Sequence, residues 1–421
     1  MTEKLLQFIW GFQYFNKNEL LLESGERLQI LFPGRHNQHQ GPDFLEAKIK
    51  IEETTLVGNI ELHVHATDWF KHAHASDANY ASLILHIVWQ NDGPPAFENC
   101  PTLSLNNRVP KLLLEQYQNL MQSSLNLPCE KLLSQVNGMV WTSWKQRLLV
   151  ERLQRKSAVV EQYLQKANQH WEEICWWMIA KNFGAKVNAE AFEAMAQSIS
   201  VNTLAKHKNQ IHQLEALLLG QAGLLEVEFA EDYPKMLKKE YVFLKNKYHL
   251  ERIHMPVHFL RMRPSNFPTI RLAQLAMLVK QSSHLFSKIK EMQSVHEAKE
   301  TLAVTANDFW SYHYSFAEAS SFKEKKMGTQ MIENMIINSL APLLFAYGYL
   351  RKEPDYQEKA LKWLEDLPSE KNKITDLWEN AGVENKRAFD SQSLIELKTQ
   401  YCDTKRCLEC AIGNSLLKGS L

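Results

Sequence analysis

The chain has 421 residues, is 45% hydrophobic and 23% charged, and balances 48 basic against 48 acidic side chains. These are ordinary values for a globular protein, and the length exceeds one ordinary core, so more than one domain is expected. No apolar run of about eighteen residues occurs and no cleavage-site pattern follows Met1-Thr2-Glu3-Lys4, so neither a membrane span nor a secretory signal is expected.

The charge is unevenly spread. Residues 1–110 hold 8 basic and 13 acidic side chains and 7 of the 16 histidines, so the remainder is net basic. An acidic, histidine-rich segment suits metal binding better than phosphate gripping. Any grip on nucleic acid would fall to the basic remainder.

Leu5, Leu6, Phe8, Ile9 and Phe12 recur at helical spacing and predict a helix over 2–15. Two apolar runs, 20–22 and 28–32, flank Ser24-Gly25 and read as a hairpin. Strands follow at 43–51 and 55–65, then a short helix or ordered loop over 68–80. A buried strand over 82–89 is apolar throughout except for His86. The order is helix, three or four strands, helix, strand, a mixed α/β domain over 1–110.

From about 111 the pattern is helical to the end. Helices are expected over 141–168, 171–183 (ended by Gly184), 188–199 and 210–225. A basic, aromatic stretch covers 233–262. Later helices at about 269–282, 288–300 and 329–347 are punctuated by Pro264, Pro268 and Pro342.

Chemistry concentrates between residues 41 and 89. Asp43 opens one strand, and Glu61 and His63 share a face of the next because strand side chains alternate. Two carboxylates can hold Mg²⁺ or Mn²⁺, and an imidazole titrating near neutrality can orient or deprotonate water. The plainer reading is a turn aspartate and a solvent-facing edge strand. His72, His74 and His86, with His63 and His65, offer imidazole ligands for zinc or manganese, or are packing and surface histidines.

The six cysteines point to a reduced, cytoplasmic protein. Cys402-x4-Cys407-x2-Cys410 is a candidate metal knuckle with Cys129 as distant fourth ligand, Zn²⁺ being the metal such a turn takes; buried or redox thiols are the alternative. Basic residues from Lys235 to Arg271 alternate with aromatics, as in nucleic-acid surfaces or as a solvated helix over a packed side. The loop Arg263-Pro264-Ser265-Asn266-Phe267-Pro268 is too structured for a linker, and its residues name no role.

Asp43…Glu61-Leu62-His63 resembles the Asp…(Asp/Glu)-x-Lys core of the PD-(D/E)xK nuclease superfamily, with His63 in the lysine position. The resemblance implies a restriction-endonuclease-like αβββαβ core. It also implies an assisting acid in the first helix, for which Glu3 is the candidate, and a polar residue and tyrosine after the core, as in Asp77-Ala78-Asn79-Tyr80. Parity places Lys48 and Lys50 on the face opposite Asp43. Some members of that superfamily carry an iron–sulfur cluster on clustered C-terminal cysteines and one distant cysteine, which implies Fe–S as the other occupant for the cysteines here. The whole chain also resembles the bacterial family catalogued as domain of unknown function 2851, through Gly41-Pro42-Asp43-Phe44, Asp68-Trp69, Leu127-Pro128-Cys129 and the Arg263–Pro268 loop.

The expectation is an α/β nuclease-like domain over 1–110 followed by a mostly α-helical domain over 111–421. The expected activity is metal-dependent phosphodiester hydrolysis of DNA or RNA. Asp43 and Glu61 hold the cation, His63 handles water and Glu3 assists. The rivals are a non-catalytic nucleic-acid-binding or scaffold protein on a degenerate nuclease fold, and a metal hydrolase of another substrate built on the histidines.

Overall fold

The computed structural model describes residues 1–37, 39–71, 78–96, 100–282 and 284–419. The chain forms two compact units, one of residues 1–144, 381–383 and 397–421, the other of residues 145–380 and 384–396. The expected boundary at 110 therefore falls inside the first unit. The reason lies in the core, which takes Leu113 and Leu120 from beyond 110 and Leu417 from the C-terminal end.

The first unit is built on a mixed sheet. Helix α1 (Glu3–Gly11) is capped by Thr2, whose Oγ1 accepts from the Leu5 N–H. It stops short of the expected residue 15 because Gln13 turns left-handed at φ 58°. Strands β1 (Leu28–Phe32), β2 (Arg35–His36), β3 (Phe44–Ile51) and β4 (Thr54–His65) pair antiparallel, with β1 and β2 both on β3. A short helix α2 (Asp68–Lys71) follows, then β5 (Leu83–Gln90) runs parallel to β4 and β6 (Thr102–Ser104) parallel to β5. The sheet order is β1-β3-β4-β5-β6. Strand β6 has only three residues, too few to show period-two alternation, and sequence reading missed it.

One face of the sheet carries Ile49, Ile60, Leu62, Leu85 and Ile87, all inaccessible to solvent, and packs on Leu5, Leu6, Ile9 and Trp10 of α1. Each such side chain contributes about 1.5–3 kcal/mol of burial. Helix α3 (Lys111–Gln122) and the C-terminal helix Ala411–Lys418 join this core, and Tyr14 donates to Asn414 Oδ1 at 2.8 Å.

The second unit is helical: most of α4 (Gly138–Lys166), then α5 (Trp171–Phe183), α6 (Ala185–Ser198), α7 (Val201–His207), α8 (Ile211–Gln221), α9 (Asp232–Tyr248) and α10 (Pro268–Gln281), with shorter helices after them. Helix α5 buries nearly every apolar side chain it has, which its aromatic composition foretells. Pro342 does not end a helix. The chain stays helical from Thr329 to Arg351, with a π turn over Ile336–Leu340 just before the proline, whose missing N–H cannot serve the Asn338 carbonyl four residues before it.

Glu215 sits in this core with no solvent exposure. Its carboxyl accepts from Trp310 Nε1 (3.1 Å), Tyr233 Oη (2.8 Å) and Asn307 Nδ2 (2.5 Å). Burial pushes it up to about 7 against these three donors. Glu215→Leu is expected to destabilise the unit by about 3–5 kcal/mol, because it leaves the buried Trp310 indole and two half-buried donors, Tyr233 and Asn307, without their acceptor. Glu215→Gln should cost far less, and chemical denaturation of both variants checks the ordering.

Among the described residues no helix is long and apolar enough to cross a membrane.

Candidate functional site

The site begins at Gly41, whose φ of 103° is a conformation that glycine tolerates and L side chains rarely adopt. The turn it makes is tied by Asn37, whose backbone N–H donates to the Asp43 carbonyl (2.7 Å) and whose Nδ2 donates to the Pro42 carbonyl (3.0 Å). Phe44 then pairs with Ile60, and beyond that pair β4 runs on without β3. Asp43 fills the gap. Its Oδ2 accepts from the Leu62 N–H at 3.0 Å, and its own N–H donates to Glu61 Oε2 at 3.0 Å. Gln7 of α1 donates to Asp43 Oδ1 at 2.7 Å.

Sequence reading passed over Gln7, although it lies four residues after Glu3 and so shares a face of α1 with it. Glu3 is close enough to act electrostatically on both carboxyls. Burial, opposed by the Leu62 N–H and then reinforced by Glu3, raises Asp43 to about 7. Burial and the neighbouring Asp43 raise Glu61 further, to about 9.

His63 lies beside the pair, its Nε2 3.8 Å from Glu61 Oε1. Its Nδ1 meets His86 Nε2 at 2.9 Å, so one imidazole donates and the other accepts. Both rings are buried, at 1% and 0% exposure. The parallel pairing of Glu61 with His86 sets this contact. Trp69 stands edge-on to His63 and tilted against His86, and Tyr80 stands edge-on to Trp69. Asp43, Glu61, His63, Glu3 and His86 thus share one neighbourhood. His65 stands apart and pairs with Asp92 at 2.9 Å. His72, His74 and Asp77 lie outside the described residues.

The parity argument for Lys48 and Lys50 does not survive a bulge. Glu46 is left-handed at φ 57°, the β3–β4 register shifts between Phe44 and Ala47, and Phe44 and Ala47 both face the core. One extra residue reverses the alternation beyond it. Lys48 still lies down the strand, opposite Val57.

Cys129, Cys402, Cys407 and Cys410 lie in the first unit, whereas Cys175 belongs to the core of the second. Cys410 precedes the C-terminal helix, and burial raises its thiol to about 11 against the opposing influence of the Gly413 and Ile412 N–H groups. Burial, then Cys410 and Cys407, raises Cys129 to about 12, and burial, then Cys410, Cys129 and Cys407, drives Cys402 higher still. A side chain at Gly413 would meet the Cys407 carbonyl at 2.2 Å, so that approach requires glycine.

Among the described residues no group of three or more His, Cys, Asp or Glu side chains is arranged to hold a metal ion. The donor set at Asp43 and Glu61 still suits a hard cation, since burial raises both carboxyls, Asp43 raises Glu61 further, and a divalent charge relieves that repulsion.

The stretch from Lys235 to Arg271 divides in two. On and beside α9, Lys235 pairs with Asp232, Lys238 with Glu228 and Arg252 with Glu226, while Tyr241 and Tyr248 pack on the core. Arg263 and Arg271 face a cavity instead.

A family model described as protein of unknown function (DUF2851) matches residues 3–373. No curated protein and no solved structure matches the chain significantly.

Proposed function

The chain belongs to the DUF2851 family, and on that premise we propose that its first unit hydrolyses phosphodiester bonds of nucleic acid, DNA or RNA, with a divalent cation. The observation that carries this reading is the meeting of two carboxyls, half-buried Asp43 and buried Glu61, at the end of the β3–β4 pairing with His63 beside them. Asp43 and Glu61 would hold Mg²⁺ or Mn²⁺, which supplies Lewis acidity and an acidified water when bound. Gln7 fixes one oxygen of Asp43, and Glu3 adds negative charge that a divalent cation would offset. His63 presents Nε2 toward Glu61 and takes a proton there. His86 sets the tautomer of His63 through Nδ1.

A second reading, a non-catalytic nucleic-acid-binding or scaffold protein, is favoured by one observation. Each carboxylate already satisfies a backbone N–H, which is a structural reason to keep it. Cleavage of single- and double-stranded DNA and RNA with Mg²⁺ or Mn²⁺, beside an Asp43→Ala/Glu61→Ala control, separates the two. Silence of the intact chain on all four substrates leaves the binding reading.

We also propose that Cys129, Cys402, Cys407 and Cys410 close on one structural metal, zinc ahead of an iron–sulfur cluster. The mutual electrostatic effect of the four thiols and the N–H groups aimed at Cys410 support this. Elemental analysis of purified protein is expected to give about one zinc per chain, and Cys410→Ser should release it. Neither zinc nor iron in protein purified without chelator would sink the idea.

A further inference from the structure

The helical unit contains a cavity of about 1020 Å³. Eight cationic side chains line it, against a single carboxylate, Glu324. For a chain whose charges balance overall, this is a concentrated positive field.

Three of these cations are held inward by neutral groups. Arg271 donates to Asn266 Oδ1 (2.6 Å) and Gln274 Oε1 (3.0 Å). Among the described residues Lys156 donates to the amide oxygens of Asn338 (3.3 Å) and Gln392 (3.5 Å), with Glu370 and Glu396 near enough to act on its charge. Lys325 is buried over the Tyr314 ring, 3.8 Å from its centre, and donates to the Ser311 and Lys323 carbonyls. Burial lowers the proton affinity of Arg271, and burial with Arg152 lowers Lys156 to about 7. Lys181 is the exception, since Glu193 pairs with it at 2.7 Å. The other four, Lys186, Arg263, Lys323 and Lys326, are exposed at the cavity and form no ion pair among the described residues.

The frame is fixed before any ligand arrives. Asn188, buried, accepts from the His258 N–H and donates to the His258 carbonyl, which pins the loop that leads to Arg263. Gln274 Nε2 donates to the Lys325 carbonyl, and the Lys323 and Met327 N–H groups bond to Ser311 and Val304. Ala185 in the wall and Arg261 just before the loop are both left-handed, at φ 48° and 60°. The π turn before Pro342 carries Asn338 and Ser339 into the lining. Such strain and π turns concentrate at functional positions.

We propose that this cavity binds a small organic anion carrying two or more phosphate groups, a nucleoside di- or triphosphate being the type, with the Arg263–Pro268 loop as part of its phosphate grip. Arginine forks and lysine ammonium groups around one open cleft match clustered phosphates. Asn182, Gln330 and Asn334 also line the cavity and form no side-chain hydrogen bond with the described residues, leaving amide groups to read a base or sugar. The volume lies at the upper end of small-molecule sites. A nucleic-acid strand fits less well. Strand binding uses exposed aromatic platforms, whereas Tyr163 is tied to Glu193 and Lys181, and Tyr314 lies under Lys325.

The test is calorimetric titration of the full chain with ATP, pyrophosphate, inorganic phosphate and a short oligothymidylate. ATP and pyrophosphate are expected to bind saturably in the micromolar range, and inorganic phosphate markedly more weakly. Arg271→Gln should weaken ATP by about tenfold or more. Because Arg271 also braces its loop, Lys186→Gln/Lys326→Gln is the second variant. It alters two exposed side chains and should give a similar loss with an unchanged melting temperature. Three outcomes overturn the proposal: no saturable binding of either polyphosphate, phosphate binding as tightly as pyrophosphate, or oligonucleotide binding that ATP does not displace. Asp43→Ala/Glu61→Ala should bind ATP normally, so this proposal and the hydrolytic one fail separately.

Discussion

Glu61→Gln is expected to abolish metal-dependent cleavage and at the same time to flatten the pH dependence of stability. Glutamine keeps the shape and still accepts from the Asp43 N–H, so the strand edge should hold. The loss in rate should be about 10²–10³-fold or more, the scale on which removing one electrostatic stabiliser acts. The stability effect has a definite sign. In the cation-free protein Glu61 holds its proton up to about 9, against an ordinary 4.5, and Asp43 up to about 7, against 3.8. Across these windows the folded chain binds more protons than the unfolded one, so stability is full below about 4 and declines as pH rises. A divalent cation replaces the protons, so the gain in melting temperature from Mg²⁺ should grow from pH 5 to pH 9 in the intact protein. Thermal scans with and without Mg²⁺ check this. A Mg²⁺ gain independent of pH, or equal in Glu61→Gln, would show that the cation binds elsewhere.

The carboxylate pair was legible in the sequence because its geometry is local. Gly41-Pro42 marks a turn, Asp43 a strand start, and Glu61 and His63 share a face by alternation. The Lys48 argument failed because alternation assumes no bulge, and a left-handed glutamate carries no signal in composition. Gln7 and the bracing Asn37 were invisible as partners because each contact is set by how α1 and the 33–41 turn dock, not by spacing. The basic cavity was harder still. Lys156, Lys186, Arg263 and Lys326 come from four stretches spread over 171 residues, each alone an unremarkable charge. Reading 235–271 as one surface mixed paired helix cations with the two arginines that face the cavity.

The His63–His86 contact gives the other large effect. Under the hydrolytic proposal, His63→Ala should lower the rate by about 10²-fold or more, since it removes a proton-handling group. His86 acts through His63. His86→Ala should cost less, about tenfold, and should also move the pH–rate profile, because His63 Nδ1 loses the ring that sets its tautomer. The double variant should be no slower than His63→Ala alone, since two residues working as one unit do not add. His63→Lys restores the residue that the nuclease resemblance expects there. It should keep part of the rate and shift the profile, because an ammonium and an imidazole lose their protons in different ranges. Circular dichroism must show all four variants folded, since both rings are buried. If the two alanine effects multiply, or if His86→Ala slows cleavage without moving the pH profile, His86 only fills space and the relay is wrong.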